Sequence, residues 1–299
     1  MTPMQLPPPG IPPAEVEITE ELVSALLAAQ HPDLMSHGLA LFGSGWDNTT
    51  YRLGAELAVR LPRRQLGADM MVKEQRWLPQ LAPQLPLPIG RPVRLGGPGN
   101  GYPWPWNVVE WIDGVSAIEA PIPESDAAVL GSFLASLHQP SPPEAPRNKW
   151  RGGALADRAP SVEGRLERLE AHDLSVPVGR IAETWHRASS VPIDTPATWL
   201  HGDVHPRNLI VDGGRLAAVI DWGDLCSGDP ATDLAAAWLL FPTDAHTALH
   251  TAYGDITEAT WERARGWAIF FGVVMVDAGR RDDHAWAAAG NEALTRACT

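Results

Sequence analysis

Residues 199–238 read WLHGDVHPRNLIVDGGRLAAVIDWGDLCSGDPATDLAAAW. Two apolar runs, 209–211 and 216–220, flank Asp212-Gly213-Gly214, whose glycines accept the positive φ that a tight hairpin turn requires. The hairpin predicts that the loop carrying Asp203 and Asn208 and the residue Asp221 come to the same end of a two-stranded ribbon. A carboxylate, an amide and a second carboxylate placed there suit phosphoryl transfer. That reaction needs little covalent help from the protein. It needs an oriented hydroxyl, a carboxylate near the attacking oxygen and metal ions on the phosphates. Asp203 would orient the hydroxyl and accept its proton. Asn208 and Asp221 would offer hard oxygen ligands to Mg²⁺. Two plainer readings stand beside this one. An Asp-Gly-Gly hairpin with flanking Asp residues is, taken alone, most often a surface turn. His201, Asp203 and His205 also have the spacing of a His-x-Asp-x-His metal site, but no further His or Cys cluster supports it. His201 is expected to prop the loop by hydrogen bonding, and His205 to do the same or to face substrate.

These residues also carry a family likeness. HGDVHPRN (201–208) resembles the catalytic loop of the aminoglycoside phosphotransferases and their choline-kinase-like relatives. IDW (220–222) resembles their metal-binding Asp segment, and GDPATDLA (228–235) the helix start that follows. The resemblance implies an α+β, two-lobed protein-kinase-like fold, with a small N-terminal antiparallel β-sheet lobe and a larger, mostly helical C-terminal lobe. It implies a kinase that phosphorylates a hydroxyl of a small molecule, with Asp203 as catalytic base and Asn208 and Asp221 as metal ligands. It also makes Asp233, in the first turn after Asp229-Pro230, a brace for the catalytic loop. Asp229 is expected as the N-cap and Pro230 as the first helical residue.

Outward from this stretch, the N-terminal side changes period. Residues 1–13, MTPMQLPPPGIPP, are Pro-rich and expected to be extended or disordered. A helical pattern follows over 15–30, with Thr19 able to cap it. Residues 39–64 contain three short β-rich runs that read as an antiparallel meander. Gly43-Ser44-Gly45 sits at its first turn, where backbone N–H groups near Ser44 can approach phosphates. No Gly-Lys-Ser/Thr follows, so this is not a Walker A loop. The third run carries Arg60 where kinases place a phosphate-binding Lys. Arg can bind phosphate through two parallel hydrogen bonds. The helix expected over 67–81 carries Glu74, the candidate ion-pair partner for Arg60, and Lys73 beside it; Pro79 is expected to end this helix early. Short strands around 91–95 and 107–110 would complete a small sheet. The run 107–114 resembles the family's interlobe hinge, which implies adenine bound by backbone groups near Glu110 and Ile112. The lobes are therefore divided as 1–110 and 111–299.

The C-terminal side reads as helices over 125–138, with Ser125 or Asp126 as cap, then 162–172, 178–189, 258–278 and 284–296. His138 is expected to be packed. Asp224 would face substrate or solvent. Asp277, Asp282, Asp283 and Glu292 would suit a cationic acceptor such as an aminoglycoside.

Composition bounds the partners. The 299 residues carry 23 Lys and Arg against 36 Asp and Glu, a net charge of −13, which argues against a nucleic-acid partner and can attract a cation. Two cysteines, Cys226 and Cys298, give no disulfide framework and point to a reducing, cytoplasmic compartment. No run approaches the roughly 18 apolar residues of a membrane span, and the first residues lack the features of a signal peptide. The 13 Trp offer indole faces that can line a pocket for sugar or macrocycle rings.

The expectation is a monomeric or dimeric kinase that uses Mg²⁺ and ATP or GTP to phosphorylate an aminoglycoside-like acceptor. Its rivals are the same reaction on a macrolide, a choline-like alcohol or another metabolite with no link to antibiotic resistance, a metal-dependent phosphohydrolase, and a nucleotide-binding module without catalysis.

Overall fold

The computed structural model describes residues 12–170 and 174–299. The Pro-rich start expected to be extended lies outside the described residues as far as residue 11, as does the end of the helix expected over 162–172. The chain divides into two compact units, one of residues 12–113 with 218–223 and the other of 114–217 with 224–299.

The first unit opens on helix α1 (Glu20–Gln30), later than its pattern suggested, because Thr19 caps it: Leu22 N donates to Thr19 Oγ1 at 3.3 Å. Strands β1 (Leu39–Ser44), β2 (Asn48–Leu53) and β3 (Leu57–Pro62) form the expected meander. Helix α2 (Gln65–Leu81) follows, then β4 (Pro92–Gly96) and β5 (Trp106–Glu110). The sheet is antiparallel throughout, in the order β1-β2-β3-β5-β4. Alternation along the strands sends Tyr51, Leu53, Val59 and Leu61 into a core with Val23, Leu26 and Leu27 of α1. It leaves Arg60 on the face toward α2. Pro79 does not end α2 early; the helix runs through it to Leu81. A proline there removes one backbone donor in the last turn, and buried Trp77, Leu78 and Leu81 hold that turn in place.

The second unit begins with β6 (Val115–Ser116) and α3 (Ala127–Leu137). Asp126 precedes α3 without capping it. Its carboxylate instead accepts from Leu216 N at 2.8 Å and from Arg215 Nε at 2.8 and 2.9 Å. Helices α4 (Ala159–Leu169) and α5 (Val178–Ser189) follow, then β7 (Thr198–Leu200). Strands β8 (Leu209–Asp212) and β9 (Arg215–Val219) are the predicted hairpin, turning through Gly213 and Gly214 at φ 54° and 75°. They form a small sheet in the order β6-β8-β9, and β10 (Cys226–Gly228) pairs with β7. The chain then makes the short helices α6 (Ala231–Leu234) and α7 (Ala236–Leu240), then α8 (Thr243–Tyr253), α9 (Glu258–Gly279) and α10 (His284–Cys298). Helix α6 starts one residue later than expected. Asp229 Oδ1 still accepts from Ala231 N at 3.2 Å, but both its oxygens are taken by the fully buried Arg263 of α9, at 2.7 and 3.1 Å.

Tryptophan is largely core material here. Trp106, Trp185, Trp222 and Trp267 are at most 1% exposed, so these four indoles line no open pocket. Among the described residues no helix is long and apolar enough to cross a membrane.

Candidate active site

The loop from His201 to Asn208 is pinned from below. Buried Asp233 accepts from His201 N at 2.7 Å and from Gly202 N at 2.8 Å, the brace expected of it. His138 Nε2 lies 3.1 Å from the same carboxylate, and its Nδ1 lies 2.9 Å from the Tyr253 hydroxyl. His138 is thus packed, and it links α3 and α8 to the brace. Burial, reinforced by Asp233 and Asp229, pushes the Tyr253 phenol up, so it stays a neutral donor. Gly202 turns the loop at φ 88°, where an added Cβ would lie 2.7 Å from the Asp224 carbonyl. Only glycine satisfies both demands.

Above that brace, Asp203 is held on both oxygens. Arg151 Nη2 donates to Oδ1 at 2.9 Å, and His205 Nε2 lies 3.1 Å from Oδ2. The His205 Nδ1 accepts from Arg207 N at 3.3 Å, which leaves its proton on Nε2, toward Asp203. His201 Nδ1 likewise accepts from Asp203 N at 3.2 Å, propping the loop as expected. Burial alone would raise the Asp203 carboxyl, but His205 and Arg151 outweigh it and hold the group well below the usual carboxylate range. Asn208 Nδ2 donates to the Asp203 carbonyl at 2.9 Å. That bond commits the amide nitrogen, so Oδ1 is the atom that could serve as a ligand. Asp224 does not face solvent alone: Arg151 Nη2 lies 3.3 Å from its Oδ2, and Asn148 Nδ2 donates to its Oδ1 at 2.6 Å.

The other unit holds a second group of expected residues. Arg60 Nη1 donates to Glu74 Oε2 at 2.8 Å, and Arg60 Nη2 lies 3.7 Å from Asp221 Oδ1. Glu74 is 1% exposed, and burial pushes its carboxyl up against the pull of Arg60. Burial also works against the charge on Arg60, which Glu74 and Asp221 overcome. Asp221 sits at φ 62°, an unusual conformation for a non-glycine residue, with its carboxylate exposed. Lys73 takes neither role expected of Arg60 or Glu74; its Nζ donates to Gly223 O at 2.7 Å and anchors the segment after Asp221. Ser44 ends β1, its hydroxyl 2.9 Å from that of Thr49. Glu110 ends β5, beside Arg91 at 3.3 Å, and Ile112 follows two residues on.

Asn208 and Asp221 offer an amide and a carboxylate oxygen, the donor chemistry that Mg²⁺ prefers. Among the described residues no group of three or more His, Cys, Asp or Glu is arranged to hold a metal ion. An ion that takes few protein ligands and completes its shell with water and phosphate oxygens suits the Asn208 and Asp221 donors.

The acidic residues expected near a cationic acceptor are largely neutralised. Asp277 pairs with Arg165, Arg168 and Arg280, Asp283 with Arg207, and Glu292 with Arg296. The sequence reading missed Arg151 altogether.

The chain is similar to known phosphotransferases and kinases. The model of a family described as "Phosphotransferase enzyme family" matches residues 38–267. Thiamine kinase of Escherichia coli strain K12 is 25% identical over 285 residues, covering 93% of this chain and 91% of that protein. Among solved structures, the GDP complex of aminoglycoside 2'-phosphotransferase-IIIa superimposes with a TM-score of 0.65 at 18% identity, covering 92% of this chain and 97% of the other. A macrolide 2'-phosphotransferase from Brachybacterium faecium gives 0.56 at 21% identity, covering 92% and 98%. These structures share the kinase-like fold.

Proposed function

The chain belongs to the phosphotransferase enzyme family (APH), and from that premise we propose that it moves the γ-phosphoryl group of ATP or GTP to a hydroxyl of a small molecule. It is a phosphotransferase with an alcohol group as acceptor. The acceptor oxygen forms the new P–O bond, the bond to the β,γ-bridging oxygen breaks, and ADP or GDP leaves.

Asp203 accepts the hydrogen bond of the incoming hydroxyl, fixes its direction and takes its proton. Asn208 and Asp221 would hold Mg²⁺, which when bound would supply positive charge against the charge developing on the phosphates. Arg60, held by Glu74, lies against the phosphates, and the backbone around Ser44 covers them. The purine meets backbone groups at Glu110 and Ile112. The observation that carries this reading is the Asp203 loop, with its carboxylate fixed on both oxygens and its backbone pinned by Asp233. Both cysteines are free thiols, and we assign the enzyme to the cytoplasm.

For the acceptor, an aminoglycoside-like polyamine calls for free carboxylates. The ion pairs of Asp277, Asp283 and Glu292 favour instead an alcohol with a single positive charge or none, of the choline or thiamine kind. A panel of kanamycin, a macrolide, choline and thiamine, read as acceptor-dependent ADP or GDP release with Mg²⁺, separates these. Release stimulated by thiamine or choline supports the second class, and release stimulated by kanamycin alone restores the first. No stimulation by any alcohol, with nucleotide bound, favours a binding module.

A further inference from the structure

We propose that Arg151 is a positioning residue for phosphoryl transfer. It acts through Asp203, keeping that carboxylate in the one orientation from which it can receive the acceptor hydroxyl. The inference rests on the role given above to Asp203.

The guanidinium is mostly buried, with 17% of the side chain exposed. Its Nη2 bridges two carboxylates, Asp203 Oδ1 at 2.9 Å and Asp224 Oδ2 at 3.3 Å. Its central carbon lies 5.1 and 5.8 Å from the ring centroids of Phe271 and Phe270, a cation–π floor supplied by α9. Without the guanidinium, Asp203 and Asp224 would be two like charges sharing a partly buried space, and each would turn away from the other.

The loop that delivers Arg151 is fixed on both sides. Asn148 Oδ1 accepts from Trp150 N at 2.8 Å while its Nδ2 holds Asp224 at 2.6 Å. Gly152 N donates to Thr232 Oγ1 at 3.2 Å, and Gly152 O accepts from Asp229 N at 2.8 Å. Gly152 has φ 69°, and a Cβ there would come within 2.8 Å of Leu200 and 3.0 Å of Gly228. The chain therefore packs against β7 and β10 as closely as glycine permits. A loop tied this tightly to the elements before and after the catalytic loop is a support for a side chain rather than a surface connection.

The consequence is geometric. Arg151 takes one lone-pair direction of Oδ1, and His205 takes one of Oδ2. The carboxylate cannot rotate without losing one of them, so its remaining lone pairs point in set directions. Displacing such a group by about 1 Å costs on the order of a hundredfold in rate. Arg151 need touch neither nucleotide nor acceptor to matter.

The test uses the full chain with Mg·ATP and water as the acceptor, so that it does not depend on finding the alcohol. Arg151→Met should lower kcat on the order of a hundredfold while KM for Mg·ATP stays within about threefold. Arg151→Lys should retain part of the rate, because one charge-assisted bond survives. In Arg151→Ala, sub-denaturing guanidinium should restore turnover and equal NaCl should not, a rescue that a folding defect would not allow. Turnover of Arg151→Met within threefold of wild type overturns the inference and leaves the function standing. So does a loss that guanidinium does not restore and that comes with lowered melting temperature and ADP affinity. A wild-type protein that binds Mg·ATP and releases no ADP, with or without an alcohol, overturns the functional reading and this inference with it.

Discussion

At the scale of single residues, charge is placed in two compact groups, each with its own bracing. In one, Glu74 is buried, which pushes its carboxyl up, and Arg60 at 2.8 Å is its ion-pair partner. Removing one partner of such a pair strands the other. Glu74→Ala should therefore cost about 3 kcal/mol of stability, and should weaken ADP binding because Arg60 loses its orientation. Calorimetric titration with ADP checks this, and an unchanged affinity in a folded variant would refute the role given to Arg60. The hairpin between Asn208 and Asp221 was legible in the sequence, because Gly213-Gly214 flanked by two apolar runs fixes a tight turn. The Arg60–Glu74 pair was legible as a candidate, since a strand and the following helix bring residues 14 apart together. Arg151 was not legible. It lies 52 residues before its partner, in a Pro-rich stretch with no periodicity, and a lone Arg beside Trp and Gly carries no signal of what it will touch. The fully buried Arg263, which ties α9 to Asp229 34 residues away, was hidden because its partner lies on another element.

Secondary elements followed their local chemistry where the chain's own neighbours decide the outcome. The helix over 178–189 and the hairpin turn at Gly213-Gly214 came out as read. They failed where a distant group competes. Asp126 has the sequence position of a cap, but Leu216 N and the Arg215 guanidinium claim its carboxylate, so it ties the start of α3 to β9. Arg215 and Leu216 hold the Asp126 carboxyl below its usual value. A group depressed in the folded state stabilises above its unfolded pKa, and that contribution is lost as pH falls through the folded value. Asp126→Asn should therefore lower the melting temperature at pH 7, and the gap to wild type should close progressively below about pH 4. Melting curves from pH 7 down to 3 measure it, and a gap independent of pH would mean that ionisation of Asp126 plays no part. Pro79 failed in the opposite sense, because burial of Trp77, Leu78 and Leu81 kept the last turn of α2 helical.

For the whole molecule, the net charge of −13 says little about the acceptor, because acidic residues near the expected pocket are spent on arginine partners. Composition measures totals, whereas recognition depends on which charges remain unpaired. The tryptophan count is likewise a total: several indoles are fully buried core, whereas Trp286 lies against His205. The proposed function is transfer to an alcohol that depends on one carboxylate. The direct measurement is ³¹P NMR of Mg·ATP with the acceptor panel, for wild type and Asp203→Ala at matched ADP affinity. A new phosphate-ester resonance should grow with wild type and fall on the order of a hundredfold or more in the variant. Inorganic phosphate as the sole product with every alcohol, or an ester formed at equal rate by Asp203→Ala, would contradict it.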